Sequence, residues 1–119
     1  EPVSNPALVE LTSNFVFTFP FSDHPTNSFP DNLRSEVDRL WMNSDLQQAA
    51  LSAKGKFSGA GVAVVHGDLH SGSIMVHPET GSVKIIDCEF GFWGPPAFDI
   101  GMFVAGYVFA HARYAALDD

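Results

Sequence analysis

The chain has 119 residues, 45% of them hydrophobic, and a formal net charge of −8. That length and apolar content suffice for the core of one domain, so an intrinsically disordered segment is excluded. The six Lys and Arg residues form no basic cluster, and a nucleic-acid surface or an acidic membrane therefore has nothing to attract it. The single cysteine, Cys88, cannot form an internal disulfide, and no signal-peptide pattern is present, so we predict a cytoplasmic protein.

The first half of the chain is predicted to contain an extended segment and a helix. Val9–Phe19 alternates apolar and small polar residues, a period-2 pattern typical of an extended segment or strand. Three prolines within residues 20–30 indicate a loop, after which Asp31 can cap a helix that we expect to end near Ala53. The segment 54–61 contains glycines and lysines but lacks the other features of a phosphate-binding loop, so it is predicted to be a connector.

The second half is predicted to contain short strands separated by turns. Val62–Val65 is a continuous apolar run suited to a buried strand. Ile74–His77 and Val83–Asp87 flank the turn sequence Pro-Glu-Thr-Gly-Ser, which predicts a β-hairpin. Glycines and prolines then predict a loop over residues 91–96.

An apolar helix is predicted to follow this loop, with Asp99 as its cap and an end near Leu117. Its most apolar stretch, residues 100–110, is too short for a membrane span. We therefore predict a buried core helix and no membrane partner.

Acidic side chains follow two of the predicted strands. Asp68 follows the first of them, while Asp87 ends the last strand and Glu89 comes two residues later. Phosphoryl transfer needs a carboxylate that accepts the proton of the attacking hydroxyl. It also needs carboxylates, about twenty residues further on, that hold the Mg²⁺ bridging the phosphates of ATP. Asp68 and Asp87 fit this order, and Asp87 with Glu89 form a candidate clamp for Mg²⁺, which prefers carboxylate oxygens.

Two other interpretations of these residues stay open at this point. Asp68 could simply cap a turn, with His66 as a core histidine whose hydrogen bonds are satisfied. Alternatively, His66-x-Asp68-x-His70 after a strand, with Asp87 on another, imitates the dinuclear site of a metal-dependent hydrolase.

Two motifs give the chain a family resemblance. Residues 66–76, HGDLHSGSIMV, and residues 83–101, VKIIDCEFGFWGPPAFDIG, resemble the catalytic lobe of the aminoglycoside phosphotransferase and choline kinase group. They are most similar to its methylthioribose kinases, which show HGDLHTGSIMV and IDPEFAFYGPMGFDIG. Residues 11–18, LTSNFVFT, look like the segment ahead of the catalytic loop in that family, so nearly the whole chain is covered.

The resemblance implies an α+β fold, a partial C-terminal lobe of a protein kinase-like enzyme. Helices would pack around a short catalytic-loop β-hairpin across residues 1–119, and the N-terminal ATP lobe would be absent. A kinase of this fold needs a glycine-rich flap and a paired lysine from that lobe, and neither pattern occurs in the chain. The 119 residues alone are therefore expected to be inactive.

The resemblance also implies roles for individual residues. Asp68 would be the catalytic base, and Asp87 with Glu89 the Mg²⁺ ligands. Ser73 would lie on the ATP side, where most of the wider group has a metal-binding Asn. Because Ser is shorter than Asn, we infer that Glu89 supplies what Ser73 lacks.

Three further residues are implied to support the catalytic loop. His66 would pack under the loop and hold it by hydrogen bonds, and Asp99 would reach back to fix the loop backbone. His70 would lie nearer the substrate, with its role open.

The function that the resemblance implies is transfer of the ATP γ-phosphate to a small molecule, a sugar or an amino alcohol. The expected acceptor is 5-methylthioribose, converted to its 1-phosphate in methionine salvage, and a homodimer is a further possibility. An aminoglycoside, fructosamine or choline acceptor is the alternative within the same fold. A non-catalytic remnant, a kinase-like domain that has lost its ATP lobe, is an alternative of a different functional class.

Overall fold

The computed structural model describes residues 5–59 and 61–117, which form two compact units. The first unit contains α1 (Pro6–Phe17), α2 (Arg34–Trp41) and α3 (Ser44–Gly59). The second contains β1 (Ala63–Val65), β2 (Ile74–Val76), β3 (Val83–Ile85), β4 (Phe92–Gly94) and α4 (Pro96–Ala115). The predicted α+β class is confirmed. The predicted domain and connector also include residues 1–4, 60 and 118–119, which lie outside the described residues.

The strand predicted over Val9–Phe19 is wrong, because these residues belong mainly to α1. The helix begins where the side chain of Asn5 accepts a hydrogen bond from the Leu8 N–H at 3.2 Å, with Pro6 in the first turn. The phenylalanine alternation suggested a period of two, but the shielded positions recur with the period of a helix. These positions are Leu8, Val9, Thr12, Ser13, Asn14, Val16 and Phe17.

The single helix predicted from Asp31 to near Ala53 is interrupted. Asp31–Leu33 forms a 3₁₀ turn, and α2 ends at Trp41. The side chain of Asn43 then accepts a hydrogen bond from the Leu46 N–H at 3.0 Å, as the cap of a new helix, α3.

The connector predicted over residues 54–61 is also wrong, since α3 continues to Gly59. Lys54 Nζ donates to Thr18 Oγ1 at 2.8 Å, and the buried ring of Phe57 lies 5.2 Å from that of Phe17. These contacts attach the end of α3 to the α1 segment, and apolar burial offsets the helix-breaking tendency of the glycines.

The predicted β-hairpin is confirmed. β2 and β3 pair in antiparallel register, with Ile74 opposite Ile85 and Val76 opposite Val83. Both strands are shorter than predicted, and Asp87 lies beyond the end of β3 rather than on it.

Part of the loop predicted over residues 91–96 is instead a strand. β4 pairs with β1 in antiparallel register, and Val65 lies opposite Phe92, which is 1% exposed. A Cβ at Gly94 would lie 2.5 Å from the Phe92 ring, so this glycine serves close packing rather than a turn. The same ring lies 6.1 Å from that of Phe98 in α4, which places the small core of this unit behind β1 and β4.

The prediction of a buried core helix is wrong for α4 within this chain. Phe98 is its buried residue, whereas its later apolar side chains are largely exposed. Asp99 is not the cap either, because the first turn follows Pro95 and Asp99 lies inside it. No helix within residues 5–59 or 61–117 is both long and apolar enough to span a membrane.

Candidate active site

The loop after β1 is anchored by the carboxylate of Asp99. Its Oδ2 accepts a hydrogen bond from the His66 N–H at 2.6 Å, and its Oδ1 accepts one from the Gly67 N–H at 3.0 Å. Hydrogen bonds to an ionised acceptor are stronger than neutral ones, and the first turn of α4 favours a negative charge at this position. Asp99 therefore fixes the direction in which the chain leaves β1.

The ring of His66 holds the next residue of the loop. Its Nδ1 accepts a hydrogen bond from the Asp68 N–H at 3.3 Å, and its Nε2 lies 2.8 Å from the carbonyl oxygen of Ile86. A neutral imidazole with its proton on Nε2 satisfies both contacts. Since Ile86 directly precedes Asp87, this buried ring joins the backbone of Asp68 to the end of the β3 segment.

Ser73 holds the other side of Asp68. Its hydroxyl donates to the Asp68 carbonyl oxygen at 3.3 Å, and the residue is 2% exposed. Its own carbonyl accepts a hydrogen bond from the Ile86 N–H at 3.0 Å. The contacts of Ser73 thus serve the loop backbone, and its role toward ATP stays a prediction.

The side chain of Asp68 is accessible although its backbone is fixed. Its N–H and its carbonyl are both hydrogen-bonded, while its side chain is 50% exposed and lies 4.0 Å from the ring of His70. A general base has to reach the proton of a substrate and still be held in position. This carboxylate meets both conditions.

Asp87 and Glu89 lie on the exposed turn that follows β3. Asp87 has the left-handed conformation, φ 68° and ψ 46°, which Asp tolerates better than most residues. Glu89 follows in the 3₁₀ helix Cys88–Phe90, and within the described residues neither carboxylate has a hydrogen bond or ion pair. Non-glycine residues in the left-handed conformation cluster at active sites and ligand-binding sites.

The donor chemistry of Asp87 and Glu89 suits Mg²⁺, which is typically bound by one or two carboxylates together with the phosphate oxygens of a substrate. In the described part of the chain no three His, Cys, Asp or Glu side chains are grouped closely enough to hold a metal ion by themselves. The dinuclear hydrolase site considered from the sequence therefore finds no support among these residues.

Gly67 is a site residue to which the sequence analysis gave no role. Its φ is +86°, and a Cβ at this position would lie 2.0 Å from the carbonyl oxygen of Phe90. Phe90 ends the 3₁₀ helix that contains Glu89, so the loop that carries Asp68 passes close to the backbone at the end of this helix. The glycine between His66 and Asp68 was the available signal.

Gly67→Ala is expected to destabilise the protein more than Gly81→Ala. Gly81 also has a left-handed φ, +67°, but no atom lies within 4 Å of the place that a methyl group would occupy, so its substitution costs only about 1–2 kcal/mol of backbone strain. Gly67→Ala adds a collision with backbone, and we expect a further loss of about 1–3 kcal/mol. Urea unfolding of the two variants measures the difference, and equal losses would show that the close approach to Phe90 is unimportant.

Comparison with known proteins gives the family. The profile described as "Phosphotransferase enzyme family" matches residues 22–118. Because this match covers most of the chain, the chain belongs to the phosphotransferase enzyme family.

Individual relatives agree with this assignment. The chain is 50% identical over 101 residues to a protein named methylthioribose kinase from a Geobacillus species, covering 85% of the chain and 25% of that relative. It is 45% identical over 102 residues to the methylthioribose kinase of Bacillus velezensis, covering 86% of the chain and 25% of the relative. It is 42% identical over 106 residues to the methylthioribose kinase of Exiguobacterium sibiricum, covering 89% of the chain and 27% of the relative. The predicted resemblance is confirmed, and the chain spans about a quarter of the length of these relatives.

Proposed function

We propose that the chain is part of the C-terminal catalytic lobe of an ATP-dependent kinase that phosphorylates 5-methylthioribose at its 1-hydroxyl, in methionine salvage. The observation that supports this most strongly is the accessible Asp68 carboxylate on a loop fixed at both sides of the residue. The names of the relatives favour methylthioribose over an aminoglycoside, fructosamine or choline. The ATP lobe would come from other residues of a longer, cytoplasmic protein. The homodimer stays a prediction.

In this proposal Asp68 orients the acceptor hydroxyl and takes its proton as the hydroxyl oxygen bonds to the γ-phosphorus. The bond from that phosphorus to the β–γ bridging oxygen breaks, and ADP leaves with the electron pair. Asp87 and Glu89 would hold Mg²⁺, which when bound neutralises charge on the phosphates. His66, Ser73 and Asp99 keep the base at a fixed place relative to this pair, because they bond to the loop backbone and to Ile86.

A coupled assay of ADP release tests the proposal on the complete protein. We expect kcat/KM for methylthioribose to exceed that for choline, fructosamine and an aminoglycoside by at least about 100-fold, because a site built to bind one acceptor's hydroxyls rejects others strongly. EDTA should abolish the activity and Mg²⁺ restore it.

The possible results separate the alternatives. Preference for another acceptor would contradict methylthioribose as the substrate but would still support a small-molecule kinase. No ADP release with any acceptor would favour the non-catalytic remnant. Phosphorus NMR of the product identifies the hydroxyl that is phosphorylated.

A further inference from the structure

The ring of His70 is held in one orientation beside the candidate base. Its Nδ1 accepts a hydrogen bond from the Gly72 N–H at 3.0 Å and so caps the 3₁₀ helix Ser71–Ser73. A ring nitrogen that accepts a hydrogen bond carries no proton, so the neutral ring has its proton on Nε2. That Nε2 lies 4.0 Å from Oδ2 of Asp68. The nitrogen that carries the proton is therefore the one that lies 4.0 Å from the carboxylate.

The surroundings of Gly72 describe the same ring position from the side of its neighbour. A Cβ at this position would lie 2.8 Å from Cε1 and 2.9 Å from Nδ1 of His70. Gly72 is not among the glycines with a positive φ, so its backbone conformation does not require glycine. A side chain at this position would collide with the imidazole of His70. The glycine therefore allows the ring to occupy the position in which it is observed.

Capping alone does not require a histidine. Asn, Asp and Ser are the preferred caps, since their side-chain oxygen reaches the same N–H with fewer atoms. What the imidazole adds is its second nitrogen, on the side of Asp68. Both side chains are about half exposed, 53% for His70 and 50% for Asp68, so an acceptor molecule can reach the pair.

We propose that His70 is a positioning residue for the phosphoryl transfer, and that its Nε2–H orients the Asp68 carboxylate through Oδ2. Oδ1 is then left to face the acceptor hydroxyl. The distance of 4.0 Å is too long for a hydrogen bond, but catalytic contacts often tighten when substrate binds. No proton passes to His70, because Nδ1 is occupied by Gly72 and Nε2 already has a proton. The role rests on the proposed function, with Asp68 as the base.

Two variants distinguish the role of Nδ1 from the role of Nε2 in His70. In His70→Asn the amide oxygen can replace Nδ1 and keep the cap, but nothing reaches Asp68. In His70→Gln the amide nitrogen can reach the position of Nε2, but the cap is lost. We expect His70→Asn in the complete protein to keep its melting temperature and its KM for ATP while kcat falls by about 10–100-fold. His70→Gln should retain more of kcat although it is less stable.

Gly72→Ala provides the matched test with the histidine present. Its methyl group should displace the ring and lower kcat as His70→Asn does. Nitrogen NMR of the wild-type ring should show the proton on Nε2.

The outcomes distinguish this role from the proposed function. If the wild type is active and His70→Asn retains kcat within about two-fold, His70 is only a cap and the proposal is overturned. A ring with its proton on Nδ1 would overturn it as well. A wild type without kinase activity would overturn the proposed function, and the role of His70 with it.

Discussion

Asp68→Asn is expected to lower kcat of the complete protein by about 10²–10⁴-fold, the usual contribution of a general base, with little change in KM for ATP. The amide fills the same space but cannot accept the hydroxyl proton. The contacts that hold this residue use its N–H and carbonyl, from His66 and Ser73, so the substitution leaves them intact. Steady-state kinetics and a melting curve measure both effects. Retention of most of the activity would exclude Asp68 as the base.

Asp87→Asn is the matched control for that experiment. Asn tolerates the left-handed φ of 68° at this position, so the variant removes a charge without adding the backbone strain that Ala would bring. We expect its activity to recover partly as Mg²⁺ is raised, because the lost group is a metal ligand in our proposal. Asp68→Asn should not recover. If both variants respond to Mg²⁺ in the same way, the roles of the two carboxylates are not distinct.

The positions of the candidate site residues could be predicted because the signals are local. His66-Gly67-Asp68 follows an apolar run, and Asp87 with Glu89 follows another, so strand ends alone place these side chains in turns. The contact between Asp99 and the loop, 32 and 33 residues away, was available only through the family resemblance.

Features that depend on tertiary packing could not be predicted. β4 is stabilised by the burial of Phe92 opposite Val65. From the sequence alone the partner strand is unknown, and Gly94 then indicates a turn. The glycines of α3 likewise predict a break, and the contacts of Lys54 with Thr18 and of Phe57 with Phe17 show why the helix continues. The close contact of the His70 ring with Gly72 depends on a side-chain rotamer, which sequence spacing does not specify.

The isolated 119-residue chain is expected to show no measurable kinase activity, to bind the dye ANS and to self-associate. Phosphoryl transfer depends on positioning of ATP, and the chain contains neither the glycine-rich flap nor the paired lysine that provide it. Its apolar surface is large, because side chains along α4 and the hairpin are exposed. These side chains are Ile100, Val104, Tyr107, Val108, Phe109, Met75, Val76, Val83 and Ile85.

Phe109→Glu and Phe98→Glu distinguish an exposed apolar surface from simple unfolding. Phe109 is 72% exposed, so its substitution should reduce self-association and ANS fluorescence while the helical circular dichroism is retained. Phe98 is 8% exposed in the small core, and a carboxylate there should unfold the second unit because a buried charge has no partner. Sedimentation velocity and ANS fluorescence measure the contrast. A monodisperse, ANS-negative chain that phosphorylates methylthioribose would show that neither the exposed apolar side chains nor the lack of a glycine-rich flap and paired lysine limits it.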